Sequence, residues 1–296
     1  MRRSKSALAV LLLPFLIFYG VFVLFPTLGL AVKSFSGLRE LGFEVYNPSR
    51  LLSMEWTLKN YIDVFSESYY FKATLNTVFL ALIAVVISFI LGTPISYLLT
   101  IKKSRFTGFL GWLIMLPVYL PGVLASYALF IFFGSQGLVA VVSGFFLETP
   151  LRLVYTWPGV ILGTVYIVLP MFVRTAKMGF ERIRADIREA SHTLGAPEFY
   201  TFAKVLFPIA APSILAALII TFTYTMSLVV VVLILGGGGR SISILPVEIM
   251  NVSQSMNFDI PKASAMSFVL LAIAFVGQYL ATRIMERDSK GRVETQ

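Results

Sequence analysis

Polar positions are scarce along most of this chain, and its apolar residues run on continuously rather than alternating with polar ones. Six runs are long enough to cross a bilayer, which takes a helix of roughly 20 apolar residues. They lie at about 7–32, 74–99, 106–133, 153–175, 209–235 and 263–284. The period-two alternation of a transmembrane barrel is missing, which selects helices. Lipid offers no partner to a backbone amide, and a helix satisfies its own. The expected fold class is therefore an all-α membrane protein of six transmembrane helices, one domain over 1–296. Arg2, Arg3 and Lys5 precede the first run as they would in a secretory signal. That run is too long for a signal and has no clear small-residue cleavage site, so it reads as a retained anchor. Prolines within the runs (Pro26, Pro94, Pro117, Pro121 and Pro170) are expected to kink or break helices.

One polar island interrupts this pattern, at about 176–208. Ile183, Ile187, Ala190, Ser191 and Leu194 recur at helical spacing, so one face of the segment can dock on something. Gly195 stands where a helix C-cap needs positive φ. Pro197 and Glu198 read as the first turn of a second helix carrying Phe199, Phe202, Ala203 and Leu206 on one side. Pro208 and Pro212 mark the turn back into the membrane.

Charge adds orientation. Arg2, Arg3 and Lys5, then Lys102, Lys103 and Arg105, the basic residues of the island, and Arg283, Arg287, Lys290 and Arg292 all belong to one set of helix ends. Basic residues favour the cytoplasmic side, which puts both termini and the island there. The net charge of +9 reflects this bias and contact with anionic membrane lipid, with no nucleic acid implied. The long external loop, 33–73, holds Trp56, Tyr61, Phe65, Tyr69 and Phe71. These rings either lie at the membrane interface or pack on helix ends.

Composition agrees with a polytopic membrane protein: 57% of residues are hydrophobic and 13% charged, against about 25% charged in soluble domains. The chain has no cysteine, which excludes disulfides and thiol chemistry, and its single histidine, His192, cannot build a metal site alone. His192 reads as a surface residue, and no metal is expected. All fifteen acids fall outside the six runs, which argues against a proton-coupled carrier, though not against a sodium site made of carbonyls. No catalytic constellation is visible. Gly236–Gly239 with Arg240 and Ser241 lacks the lysine and hydroxyl pair that ends a nucleotide-binding loop, and reads as a turn leading into Ile244. Polar groups at membrane depth are hydroxyls: Tyr166 midway along the fourth run, and Thr221, Thr223, Tyr224, Thr225 and Ser227 in the middle of the fifth, of which Tyr166, Thr221, Tyr224 and Ser227 stand out. They are candidates for a solute pathway. Satisfying neighbouring helices is the commoner role of such groups, and both readings stand.

The island resembles the cytoplasmic loop of binding-protein-dependent ABC importer permeases. That pattern is Glu-Ala-Ala, three residues, Gly, nine residues, then Ile-x-Leu-Pro. Here it reads Glu189-Ala190-Ser191, Gly195 and Val205-Leu206-Phe207-Pro208 with every spacing kept. Ser191, Val205 and Phe207 depart conservatively. Thr57–Tyr61, Gly163–Pro170 and the stretch from Asp259 to Ser267 are similar to segments of permeases for polyamines, phosphonates, ferric iron and thiamine. The resemblance implies a type I ABC importer permease fold with a cytoplasmic coupling helix, in a bacterial or archaeal plasma membrane. It implies that Glu189, Ala190, Ser191, Leu194, Gly195, Ala196 and Pro208 meet an ATPase partner, with Gly195 and Pro208 suited as hinges. It also implies the partners: two ATP-binding cassette subunits, a second permease of the same or a homologous chain, and an external solute-binding protein. ATP and Mg would be bound by the partner, leaving this chain without a cofactor or enzymatic activity. The alternative is a secondary transporter or channel working without ATP.

Overall fold

A computed structural model describes residues 12–37, 55–102, 104–255 and 259–293, the last ten of these by backbone alone. Arg2, Arg3, Lys5, Lys103, the start of the first run and much of the external loop lie outside the described residues, as do the side chains of Arg287, Lys290 and Arg292. Among the described residues there are helices and one isolated antiparallel bridge, Ser36 to Trp56. Six helical stretches are long and apolar enough to span a membrane. They are α1 (Leu12–Ser34), α3 (Ser68–Ile101), α5 with α6 (Gly122–Phe133 and Leu138–Gly144), α7 (Trp157–Glu181), α9 (Glu198–Met226) and the first part of α12 (Ile260–Val293). Shorter helices are α2 (Lys59–Ser66), α4 (Arg105–Tyr119), α8 (Ala185–Thr193), α10 (Val230–Leu235) and α11 (Leu245–Gln254).

Prolines act in three ways. Pro121 breaks the third apolar run: Leu120 is extended (ψ 135°) and Pro121 becomes the N-cap of α5, because proline pushes its predecessor out of the helical region. Where the sequence suggests one helix over 106–133, the structure therefore has α4 and α5. At fifteen residues α4 is only about 22 Å long. Pro26 and Pro208 each follow a π-helical segment, Gly20–Leu24 and Thr201–Leu206. Phe25 and Phe207 donate their amides five residues back, to Gly20 and Phe202. A wider turn of this kind makes room where a proline ring would collide with the carbonyl four residues earlier. Pro94, Pro117 and Pro170 stay inside continuous helices.

Two compact units can be distinguished, Met1–Phe71 with Glu248–Leu271, and Lys72–Val247 with Ala272–Gln296. In the first unit, Ser34 Oγ and Tyr61 Oη share a hydrogen bond of 2.7 Å, and Asn60 donates to the carbonyls of Ser34 and Ser36. The loop aromatics are split: Trp56, Phe65, Tyr69 and Phe71 are exposed, whereas Tyr61 lies against Phe35. In the second unit, one apolar cluster joins Leu80, Val160, Val231, Leu235 and Ile244. A second joins Tyr97, Phe172, Ala176, Phe180, Leu206 and Ile214, beneath the polar island. α7 and α9 approach closely at Gly179, where an added Cβ would lie 2.5 Å from the Cβ of Ser213; small residues permit such contacts between membrane helices.

Candidate functional site

The polar island begins where α7 ends at Glu181. Arg184, extended at ψ 140°, precedes α8, and Asp186 takes the first turn, where its carboxylate accepts the Ile187 amide at 3.0 Å and pairs with Arg184 at 2.8 Å. An acid there suits the positive end of the helix dipole. α8 ends as the glycine spacing predicts. Gly195 has φ +82°, the Ala196 amide donates to Ser191 O at 3.1 Å, and the Gly195 amide donates to His192 O at 2.9 Å. This paired closure is the Schellman motif. No atom lies within 4 Å of the position a Gly195 Cβ would take, so conformation rather than space calls for glycine. The second helix starts at Glu198 and runs through the π segment straight into Phe207–Met226. Pro208 thus sits in the first turn of a helix continued from the island, not at a turn of the chain.

Glu198 is the hub of this loop. Its Oε1 accepts from Tyr97 Oη at 2.5 Å and from Arg188 Nη2 at 2.9 Å. Its Oε2 lies 3.2 Å from the same Arg188 nitrogen and 3.0 Å from His192 Nε2. His192 Nδ1 is 3.2 Å from the Ala196 carbonyl oxygen. Carbonyl and carboxylate both accept, so both imidazole contacts are hydrogen bonds when the ring carries two hydrogens. His192, read from the sequence as a surface residue, is exposed and also borders the Arg188–Glu198 ion pair. Ser191 Oγ and Thr201 Oγ1, 2.9 Å apart, add a second tie between α8 and the foot of α9. Below them Tyr97, Phe180, Phe202 and Phe207 stack edge and face, with Tyr97 and Phe202 centroids 4.7 Å apart.

The outer side of the loop is apolar and open. Leu194 is 87% exposed and Phe199 80%. Ile187, Ala190, Leu194, Pro197, Tyr200 and Val205 border a shallow depression of about 570 Å³. Glu189 is exposed, and with Arg188, His192, Tyr97 and Lys177 it borders a second space of about 570 Å³ behind α8. The other candidate residues are dispersed. Tyr166 is half-buried in the first half of α7. Thr221 is fully buried, and its hydroxyl has no partner among the described residues; Tyr224 is 40% exposed. Ser227 is exposed, caps the end of α9 and donates to Tyr224 O at 2.8 Å. Since α9 starts at Glu198, these three fall at its C-terminal end rather than mid-helix. The glycines Gly237, Gly238 and Gly239 all have positive φ and form a turn facing Tyr155, itself at φ 63°. Glu248, one of the acids outside the six runs, is 3% exposed and accepts from Tyr69 Oη at 2.8 Å. Among the described residues no group of acids and histidine could hold a metal ion.

The fold is that of ABC importer membrane subunits. A chain from a bacterial alginate ABC transporter, crystallised with an alginate pentasaccharide-bound periplasmic protein, matches with TM-score 0.78 at 16% identity over 96% of both chains. A chain of the inward-facing MetNI methionine ABC transporter matches with TM-score 0.59 at 16% identity, over 73% of this chain and 94% of that one. In sequence, the spermidine/putrescine transport system permease protein PotB of Escherichia coli (strain K12) is 28% identical over 205 residues, 68% of this chain and 70% of PotB. The sulfate transport system permease protein CysT of Salmonella typhimurium is 27% identical over 229 residues, 77% of this chain and 80% of CysT. Residues 85–287 match the family of binding-protein-dependent transport system inner membrane components, and the chain belongs to it. It is a multi-pass inner-membrane permease subunit of an ABC importer.

The helix C-cap at Gly195 was legible from the sequence, and the motif positions Glu189 to Pro208 came from the family resemblance. The Glu198 hub was not legible, because Tyr97 comes from a different span 101 residues away. The one available signal was a carboxylate ten residues after Arg188 across a glycine turn.

Proposed function

We propose that this chain is one of two permeases in an ATP-driven importer that accepts a small polar solute from an external binding protein and releases it into the cytoplasm by alternating access. In this reading α8 and its Gly195 turn are the coupling helix, both termini are cytoplasmic, and two ATP-binding cassette subunits dock beneath. The partner subunits bind ATP and Mg, and no cofactor is needed in this chain. The observation that carries the reading is the outer side of the polar loop: Leu194 and Phe199 stand almost fully exposed beside the depression bordered by Ile187, Ala190 and Pro197. Large apolar side chains on a polar, charged loop mark a surface that a partner covers. Closure of the ATPase pair would push on α8, and α9, helical without interruption from Glu198, would carry the push into the membrane. A polyamine is the favoured solute class, supported by the resemblance to PotB.

Co-purification tests the docking. The assembly expressed with wild-type permease should retain its ATPase subunits through detergent extraction, and Leu194→Asp should release them while the permease still inserts. Retention in the variant equal to wild type contradicts docking on this face.

A further inference from the structure

α8 has no buried residue. A space of about 570 Å³ lies behind it, so apolar packing does not fix its position. What holds it is polar: the Ser191–Thr201 hydrogen bond, and Arg188 and His192 on α8, Tyr97 near the end of α3 and Glu198 at the start of α9, these four meeting at one carboxylate. We infer that Glu198 is a positioning residue for transport, keeping the coupling helix in fixed register with the second and fifth spans so that a push on α8 moves them as one body. The inference rests on α8 being the coupling helix.

The physical case is one of connectivity. Arg188 or His192 alone would tie α8 only to its neighbour ten or six residues along. Tyr97 brings in a helix otherwise remote in sequence, and its hydroxyl can donate to Glu198 only while the carboxylate stays within reach. Hydrogen bonds to a charged group are about twice as strong as neutral ones. Because the Glu198 side chain is 49% exposed, solvent screening weakens each of these bonds. Removing the charge loosens α8 over the space behind it without unfolding the spans, whose apolar cluster around Phe172 and Ile214 does not include Glu198.

The test uses the complete assembly in proteoliposomes and the binding protein purified with its endogenous solute. The readout is the ratio of binding-protein-stimulated to basal ATP hydrolysis. Glu198→Gln should lower that ratio about fivefold while ATPase retention and the KM for ATP stay as in wild type. Tyr97→Phe should lower it less, and the double variant should fall no further than Glu198→Gln, because both changes cut the same connection. Ser191 and Thr201, whose hydroxyl oxygens lie 2.9 Å apart, are the positions for a cysteine pair linking α8 to α9 in a chain with no native cysteine, its bridge verified by loss of free thiol on oxidation. In the Glu198→Gln background the oxidised pair should restore the ratio and dithiothreitol should abolish the rescue, a reversal that a folding defect would not show. A wild-type ratio in Glu198→Gln, additive losses in the double variant, or no rescue on oxidation each overturns the inference. A wild-type assembly that the binding protein fails to stimulate overturns instead the coupling reading beneath it.

Discussion

Glu189 and Gly195 illustrate two different demands on the same short loop. Glu189 is exposed, and its neighbour Arg188 is engaged by Glu198. Truncating Glu189 should therefore cost the isolated permease little. In the assembled importer the same carboxylate is expected to face the ATPase, and losing one partner of a charge pair buried at an interface costs about 2 kcal/mol or more. Glu189→Ala should therefore insert normally yet lose transport; normal uptake with normal solute-stimulated ATP hydrolysis in the variant excludes this role. Gly195 is a conformational case. Its φ of +82° is one a β-branched residue resists, at roughly 1–3 kcal/mol. Ser191→Ala removes one neutral hydrogen bond to Thr201, about 1 kcal/mol. Gly195→Val should uncouple more than Ser191→Ala in the same stimulated-to-basal ratio, and equal behaviour of the two contradicts the cap as a functional element.

At the scale of elements, close packing between α7 and α9 and the exposure of the end of α9 lead to two tests. Gly179→Val puts carbon where Ser213 already stands, and overpacking of this kind costs about 1–3 kcal/mol. The detergent-solubilised permease should lose thermal stability by a corresponding margin, and an unchanged midpoint means the two helices separate there at no cost. Single cysteines in place of Tyr224 and Ser227, both exposed, should react with a water-soluble thiol reagent if this end of α9 lines the pathway, and the rate should change with ATP state. A cysteine at buried Thr221 should react only in a state that opens the helix packing, and those at half-buried Ile219 and Val230 should react less than the exposed pair. Inertness at all five positions assigns the hydroxyls to packing. Hydropathy made the number of spans legible because a bilayer demands length and apolarity, although the third and fifth helical stretches run over Gly122–Gly144 and Glu198–Met226 rather than 106–133 and 209–235; the helix C-cap was legible because only one residue type fits it easily. Pro121 as a break, and the π turns ahead of Pro26 and Pro208, were not, since the sequence shows that a proline disturbs a helix but not whether the helix breaks, widens or absorbs it. The convergence on Glu198 depended on which helices pack together.

For the whole molecule, the coupling reading makes one body of the polar loop and the spans above it, driven by an ATPase that this chain does not contain. A secondary transporter or channel with the same six spans would move solute down its gradient, or with an ion gradient, irrespective of nucleotide. The two mechanisms part on energy source alone. The decisive measurement is uptake of radiolabelled spermidine, putrescine and sulfate into proteoliposomes holding the full assembly, with binding protein outside and either ATP or a non-hydrolysable analogue inside. ATP-driven import predicts accumulation of one of these solutes above its external concentration with ATP and none with the analogue. Accumulation that proceeds equally with the analogue contradicts it.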